Sequence, residues 1–315
     1  MCVGDVSRTH HHCPANECQL KTTLIADKCS GPRERVLALR WSASIAGKPP
    51  RRPVRKPAVW RIVHDERVAG RALKTEAVVL RSMRYGEADR ILHLYTSDRG
   101  RVSAIAKGVR RARSRFGGRL EPFFRLQMEL HEGRGELLTV TGAHTVDGHP
   151  RLRGDARALD AAARACDAVG RLFETSEPHP GVFNLLCRKL SLLEAQSGAV
   201  GRSPTGHAPA LAFRLKLMLA AGLAPQLVAC ASCGEREHLG GFSGAAGGVV
   251  CGACEAAAFP FGSEAYRFMA DALGRPLSEA PEASEAALAQ VERAISETLE
   301  HHAHLRLMPA VGRLG

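Results

Sequence analysis

Four cysteines in the C-terminal half of the chain have the spacing of metal ligands. They form two C-x-x-C units, Cys230-x-x-Cys233 and Cys251-x-x-Cys254, with seventeen residues between them. Each C-x-x-C turn directs two thiolates at one ion, and two such turns complete a tetrahedral shell. Because four sulfur ligands leave no open coordination position, the spacing predicts one structural Zn²⁺ per chain and no catalytic metal.

Two other interpretations of these cysteines stay open, namely a pair of disulfides or four unrelated thiols. The first 30 residues contain no continuous apolar segment followed by a small-residue cleavage site, so we expect no export to an oxidising compartment. A reducing compartment disfavours disulfides. The glycine-rich sequence GGFSGAAGGVV between the two units is suited to the short hairpin of a zinc ribbon.

A cationic segment is the second chemical feature of the chain. Residues 99–119 contain eight basic side chains and no acidic one. Cations packed so closely repel one another unless a polyanion is bound, and a phosphodiester backbone is the commonest such partner. The predicted nucleic-acid contacts are Lys107, Arg110, Arg111, Arg113 and Arg115, followed by Arg101 and Arg119. The alternative is a solvated basic surface without a partner.

The charge of the chain is unevenly distributed. The formal net charge is +12, of which residues 1–70 contribute +7, residues 71–150 contribute +6 and residues 151–315 contribute −1. We therefore expect polyanion binding before residue 150 and a scaffold or protein-docking role after it. No run of 18 apolar residues occurs, so we expect no membrane span and a cytoplasmic, nucleoid-associated protein.

Residues 1–70 differ from the rest of the chain. Their cysteines and a histidine triplet are spaced too widely for a compact metal site, and the run KPPRRPVRKP predicts an extended, disordered segment. We predict a non-folding extension, or an assigned start that precedes the true one, with Val68 as the candidate start.

Short strands are the elements that must hold the cationic segment. Apolar runs and alternation predict strands at 76–83, 90–96, 101–107, 124–131 and 136–146. Five short strands, with the cationic residues in the connection between the third and fourth, indicate a small β-barrel on the plan of the OB-fold. That plan commonly binds oligonucleotides.

Helical periodicity begins at Asp155, the predicted N-cap of the first helix. Further apolar faces predict helices after Pro180, around Leu215 and after Ser284, and we expect linkers at 198–207 and 274–283. The predicted fold class is α+β. It comprises an OB-fold barrel at 73–150 and a helical domain at 151–315 that carries a four-cysteine zinc-finger insertion at 230–254.

Three motifs together are similar to a known family. The turn GEADRI (Gly86–Ile91), the run KGVRR (Lys107–Arg111) and the segment SRFGGRLEPF (Ser114–Phe123) resemble those of the RecO family of bacterial DNA repair proteins. The resemblance extends from about Leu73 to the C-terminus and leaves out residues 1–70. Not all members of that family keep the four cysteines.

This resemblance implies an OB-fold that binds single- and double-stranded DNA, a helical C-terminal domain, and annealing of complementary strands. It implies a recombination mediator that acts with RecR to help RecA replace the single-strand-binding protein SSB, with RecF as a further partner and no enzymatic activity. The helical domain of the family receives the acidic, apolar C-terminal tail of SSB. For that tail the sequence offers Arg214 and Lys216, although an ordinary helix with two solvated cations would look the same.

Two rival functions remain at this point. One is an RNA-binding OB-fold protein of the translation or cold-shock type, and the other is a zinc-dependent nuclease or deaminase. A deaminase requires H-x-E followed by P-C-x-x-C, and neither C-x-x-C unit here is preceded by proline.

The predicted barrel is poor in aromatic residues. It contains only Tyr85, Tyr95, Phe116, Phe123 and Phe124. Because some of these must lie in the core, base stacking cannot be the main source of affinity, and binding should be directed mostly at phosphates. About five phosphate contacts predict a slope near −3.5 for log affinity against log salt on single strands.

Overall fold

Five strands form a closed barrel at the beginning of the part of the chain that the structure describes. The structure is a computed structural model, and it describes residues 71–133, 135, 137–197 and 205–312. All of them belong to one unit, Asp65–Gly315. The predictions for residues 1–70 lie outside the described residues. The strands are β1 (Ala72–Tyr85), β2 (Asp89–Thr96), β3 (Gly100–Ala106), β4 (Arg125–His131) and β5 (Leu138–Asp147).

The barrel closes in the order β1-β2-β3-β5-β4. β3 and β5 pair in parallel, and the other neighbouring strands pair antiparallel. Alternate residues of the strands point inward, as the period of two requires. The buried interior includes Leu92, Leu94, Leu126, Met128 and Leu130.

Alternate residues in the middle of β1 face the helices. The register of β1 against β2 shifts between Val79 and Arg81, and Leu80 between them packs in the helical core together with Val78 and Tyr95. The outer face of β1 and β2 is therefore covered by protein, and the barrel and the helices share one apolar junction.

In the described part of the chain, six helices follow the barrel, and three short strands lie between the fourth and the fifth. The first four helices are α1 (Pro150–Arg153), α2 (Ala156–Leu172), α3 (Pro180–Gln196) and α4 (His207–Ala220). The strands are β6 (Leu239–Ser243), β7 (Gly248–Cys251) and β8 (Phe259–Pro260), and the last two helices are α5 (Ser263–Gly274) and α6 (Glu285–Ala303). The α+β class predicted from the sequence is confirmed. Across the described ranges, no helix combines the length and apolar character needed to cross a bilayer.

Polar caps fix the start of two helices as the sequence predicted. The Asp155 carboxylate accepts hydrogen bonds from the backbone N–H groups of Arg157 and Ala158 at the start of α2, and the Ser284 hydroxyl accepts from Ala287 N–H at the start of α6. Each cap satisfies backbone donors that the helix itself leaves unpaired.

The segment predicted as a linker at 274–283 connects α5 to α6, but it is packed against other helices. A short 3₁₀ turn spans Leu277–Glu279, and both Leu277 and Ala280 are buried beside α3 and α4. Because proline and charged residues flank these two apolar side chains, the sequence shows no apolar pattern that predicts their burial. Helices α1 and α5 were also not predicted.

Helix α4 is surrounded by other elements. It contacts α2, α3, α5 and α6, and its buried residues follow one another from Leu211 to Leu215. The sequence predicts this helix from an apolar face around Leu215, whereas the buried residues extend around the helix and the apolar Leu219 is exposed. Because partners cover α4 on several sides, even its arginine, Arg214, lies in the interior.

Candidate nucleic-acid interface and metal centre

The connection between β3 and β4 contains the basic loop, which we define as residues 107–119. Phe116 of this loop and Leu120, which directly follows it, insert into the barrel core and are each 2% exposed. Gly108 and Gly117 adopt positive φ angles of 67° and 55°, which glycine reaches without a side-chain clash. The loop is therefore a folded cap on the barrel, and its cations stand on a fixed base.

Six of the seven predicted contacts are exposed on this loop. They are Lys107, Arg110, Arg111, Arg113, Arg115 and Arg119. In the described part of the chain none of the six forms an ion pair with a carboxylate. A surface group of unneutralised cations attracts a polyanion more strongly than a surface of mixed charge does.

The hydrogen bonds of these cations go to backbone carbonyls. Arg110 Nη1 donates to Glu87 O at 3.0 Å, and Arg115 Nη2 donates to Val140 O at 3.4 Å. The Arg115 guanidinium also lies 4.8 Å from the centroid of the Phe116 ring. These contacts orient the guanidinium groups but leave their positive charge uncompensated.

Arg101 is the exception among the predicted contacts, because it lies at the junction of the barrel and the helices. Its Nη1 donates to Gly170 O at 2.9 Å and pairs with Glu174 at 3.4 Å. Its backbone N–H also donates to Thr175 O at 3.0 Å. Arg101 thus joins β3 to the end of α2 and is not part of the exposed cationic group.

The turn between β1 and β2, residues 85–89, lies directly against the basic loop. We call it the hairpin tip. Gly108 N–H donates to the Asp89 carboxylate at 2.7 Å, and Arg110 N–H donates to Ala88 O at 2.9 Å. The sequence analysis did not place these two segments together, although the motif GEADRI carries both the turn and the aspartate that make the contact.

The four C-x-x-C cysteines come together in the folded chain. Their Sγ atoms all lie within 4.8 Å of one another, and those of Cys233 and Cys251 are 3.6 Å apart. A Zn²⁺ with Zn–S bonds of about 2.3 Å places its ligand sulfurs about 3.8 Å apart. This cysteine cluster therefore has the donor type, number and spacing that a tetrahedral zinc ion requires.

Two turns and a hairpin hold the cysteine cluster. Gly234, with φ 83°, closes the turn after Cys233, and its N–H donates to Cys230 O at 2.9 Å. Cys251 ends β7, and Cys254 lies on the 3₁₀ turn that follows. β6 and β7 pair antiparallel, which confirms the hairpin predicted from the glycine-rich sequence.

The pKa values of two thiols in the cluster are shifted in opposite directions. Hydrogen bonding from backbone N–H groups, that of Cys251 first, lowers the pKa of Cys230 to about 6. Hydrogen bonds with Cys233 and Cys251 raise the pKa of Cys254 to about 12. Four thiolates cannot coexist at these distances without a compensating cation, because like charges in close contact disfavour each other's ionisation. A divalent metal ion would provide that charge.

Arg214, predicted to receive a partner's acidic tail, is only 4% exposed. Its guanidinium pairs with Glu292 and donates to the carbonyl oxygen of Met308. Burial lowers its pKa to about 10. An external carboxylate could reach Arg214 only by breaking these contacts, so the structure gives this residue an internal role. Lys216 is partly buried and donates to Leu273 O at 3.3 Å.

The fold and the two sites together define a protein with two parts. A barrel presents cations without carboxylate partners, and a helical part carries a cluster of four thiols. Family models agree with this division: "Recombination protein O N terminal" matches residues 71–149, and "Recombination protein O C terminal" matches residues 153–308.

Similar proteins are named "DNA repair protein RecO". The protein from Rubrobacter xylanophilus is 40% identical over 235 residues, which cover 73% of this chain and 90% of that protein. The protein from Anaeromyxobacter dehalogenans strain 2CP-C is 40% identical over 185 residues, covering 58% and 70%. That from Geobacter sulfurreducens is 37% identical over 204 residues, covering 64% and 81%. The chain belongs to the RecO family.

Proposed function

We propose that this protein acts in DNA repair by binding single- and double-stranded DNA through the basic loop and annealing complementary strands. The observation that carries the proposal is the group of six exposed cations without a carboxylate partner, held on a loop whose apolar residues lie in the barrel core. The names of the relatives are consistent with it.

We assign the barrel to the OB-fold. Support comes from its five strands, from the closed order β1-β2-β3-β5-β4, and from the position of the basic loop at the connection of β3 and β4. OB-folds are five-stranded Greek-key barrels that commonly bind oligonucleotides on one face and its adjoining loops.

Charge neutralisation explains how such a surface would promote annealing. Two DNA strands repel each other through their phosphates, and each cation that contacts phosphate releases condensed counterions. Cations shared between two strands would lower the repulsion that opposes their pairing. Since phosphates carry no sequence information, binding should be nearly independent of base sequence.

The cysteine cluster has a structural role in this proposal. It would hold one Zn²⁺ through Cys230, Cys233, Cys251 and Cys254, and such closed sites contribute to folding and not to catalysis. The adjoining strands bring Phe242, Phe259 and Phe261 together, and all three pack in the helical core. The cluster would therefore stabilise one wall of the helical part.

The helical part is the proposed docking region for other proteins. We propose RecR, RecA, RecF and the acidic tail of SSB as the partners of a recombination mediator, and we assign the protein no catalytic step. Because Arg214 is occupied inside the protein, we do not place the SSB tail at that residue.

The test replaces Lys107, Arg110, Arg111, Arg113 and Arg115 together by alanine. For the wild-type chain, affinity for a single-stranded oligonucleotide should fall about a hundredfold between 50 and 200 mM salt, which corresponds to a slope near −3.5. The variant should bind weakly and with little salt dependence, and it should not anneal strands coated with SSB.

A matched control removes the same charge from the helical part. It replaces five exposed arginines by alanine: Arg157, Arg188, Arg236, Arg267 and Arg275. This control should keep the wild-type salt slope. An unchanged slope in the loop variant, or an equal loss in the control, would contradict the proposal.

A further inference from the structure

One aromatic side chain of the barrel is exposed beside the cations. Tyr85 is 53% exposed, whereas Tyr95 and Phe116 are buried and Phe123 and Phe124 are half-buried. Among the large exposed hydrophobic residues of the described chain, Tyr85 is the only aromatic one. Its ring makes no aromatic or cation–π contact with another described residue.

The position of Tyr85 places it at the edge of the proposed DNA surface. It ends β1 and is followed by Gly86, whose φ of 54° makes the tight turn. Two residues further on, Glu87 O accepts a hydrogen bond from Arg110 of the basic loop at 3.0 Å. Arg84, which precedes Tyr85, is also exposed. The backbone of the turn that follows Tyr85 is thus tied to the basic loop by contacts that do not involve the ring itself.

We propose that Tyr85 stacks on an unpaired base, which would make the protein bind single-stranded DNA more tightly than double-stranded DNA. The inference rests on the proposed DNA binding of the basic loop. Phosphate contacts are available in both forms of DNA, but the faces of the bases are free only in a single strand. A base can stack on an aromatic ring whatever its identity, so this contact adds strand selectivity without sequence selectivity.

The test compares Tyr85→Ala, Tyr85→Phe and wild-type full-length protein on a single-stranded 20-mer and on a duplex whose two ends are closed by non-nucleotide linkers, which add no unpaired base. Tyr85→Ala should lose about tenfold in affinity for the single strand, within the range of one base–aromatic stack. It should bind the duplex like the wild type, and Tyr85→Phe should match the wild type on both. The salt slopes should not change, because no charge is removed.

Val146→Ala provides a matched control, since Val146 is a barrel residue that is 51% exposed but belongs to β5 and not to the hairpin tip. It should leave both affinities unchanged. All three variants should unfold at the wild-type temperature, because an exposed side chain contributes little to the core.

An oligonucleotide of abasic sites separates stacking from positioning of the hairpin tip. On this strand, which keeps its phosphates, wild type and Tyr85→Ala should bind equally. Three results would overturn the inference. Tyr85→Ala could bind the abasic strand tenfold more weakly than the wild type, it could lose as much affinity for the closed duplex as for the single strand, or it could lose no affinity for the single strand. If the wild type keeps its steep salt slope in those cases, the proposed function of the basic loop stands. If the wild type does not bind DNA, both proposals fail.

Discussion

Arginines serve opposite purposes in the two parts of the molecule. In the basic loop, Arg111 and Arg113 are exposed and have no carboxylate partner among the described residues. In the helical part, Arg214 is buried, paired with Glu292 and bonded to a backbone carbonyl. The comparison shows that an arginine's surroundings, and not its presence in the sequence, decide whether it can bind an external anion.

The junction of the two parts contains an intermediate case. Arg101 belongs to the cationic segment in the sequence, but its guanidinium reaches Gly170 O and Glu174. A Cβ on the neighbouring Gly100 would lie 2.2 Å from the Glu177 carbonyl oxygen. This close approach of β3 to the chain after α2 leaves the Arg101 side chain beside helical partners instead of solvent.

Loss of the metal should have the largest effect on stability, and we expect this effect in the helical part and not in the barrel. The double variant Cys233→Ser and Cys254→Ser should contain no zinc, and the helical part should lose much of its stability, since binding of a structural zinc contributes on the order of 10 kcal/mol. Metal analysis and thermal unfolding measure these effects, with Ser232→Ala in the same turn as control. The wild type should contain one Zn²⁺ per chain. A metal-free wild type, or unchanged unfolding of the variant, would contradict the structural role.

Removal of the buried guanidinium should have the next largest effect. Arg214→Met should reduce the free energy of unfolding by about 2–3 kcal/mol, because it removes a buried charged donor to Glu292 and to Met308 O. Half-buried Glu292 keeps His207 and the Ala310 N–H as partners. Denaturant unfolding measures this loss, and exposed Arg188→Ala should change stability by less than about 0.5 kcal/mol.

A second substitution tests the cause of that loss. The double variant Arg214→Met and Glu292→Gln should lose less stability than the sum of the two single losses, because the contact between these two residues is lost in each single variant but only once in the double variant. The salt slope for DNA should stay at the wild-type value in all of these variants. Additive losses would show that Arg214 and Glu292 are not coupled.

The smallest expected effects are those of replacing single arginines of the cationic segment, and they should differ between Arg113 and Arg101. Arg113→Ala should lower the magnitude of the salt slope by about 0.7, the value for one phosphate contact on a single strand, and leave stability unchanged. Arg101→Ala should leave the slope unchanged and reduce stability by about 1–2 kcal/mol, because a charged donor to Gly170 O is lost. The same oligonucleotide titration and unfolding experiment serve both variants. The opposite pattern would mean that Arg101 belongs to the DNA surface.

Local sequence patterns were sufficient for several parts of the fold. Alternation of apolar residues predicted the strands of the barrel, capping residues predicted the starts of α2 and α6, and glycines predicted the β6–β7 hairpin. Each of these features depends on residues that are near one another in the chain. Helix α5 and the packed turn at Leu277 were not predicted, because their burial depends on distant elements.

The sequence by itself determined the chemical inventory of this protein: a cationic segment without acids, and four cysteines in two C-x-x-C units. Only the tertiary structure decided which cations face solvent, since that depends on the carboxylates and carbonyls that distant elements bring to each guanidinium. It left Arg113 exposed, joined Arg101 to α2, and enclosed Arg214 within the helices. It also brought Tyr85 beside the basic loop, a contact between segments that are more than twenty residues apart in the chain.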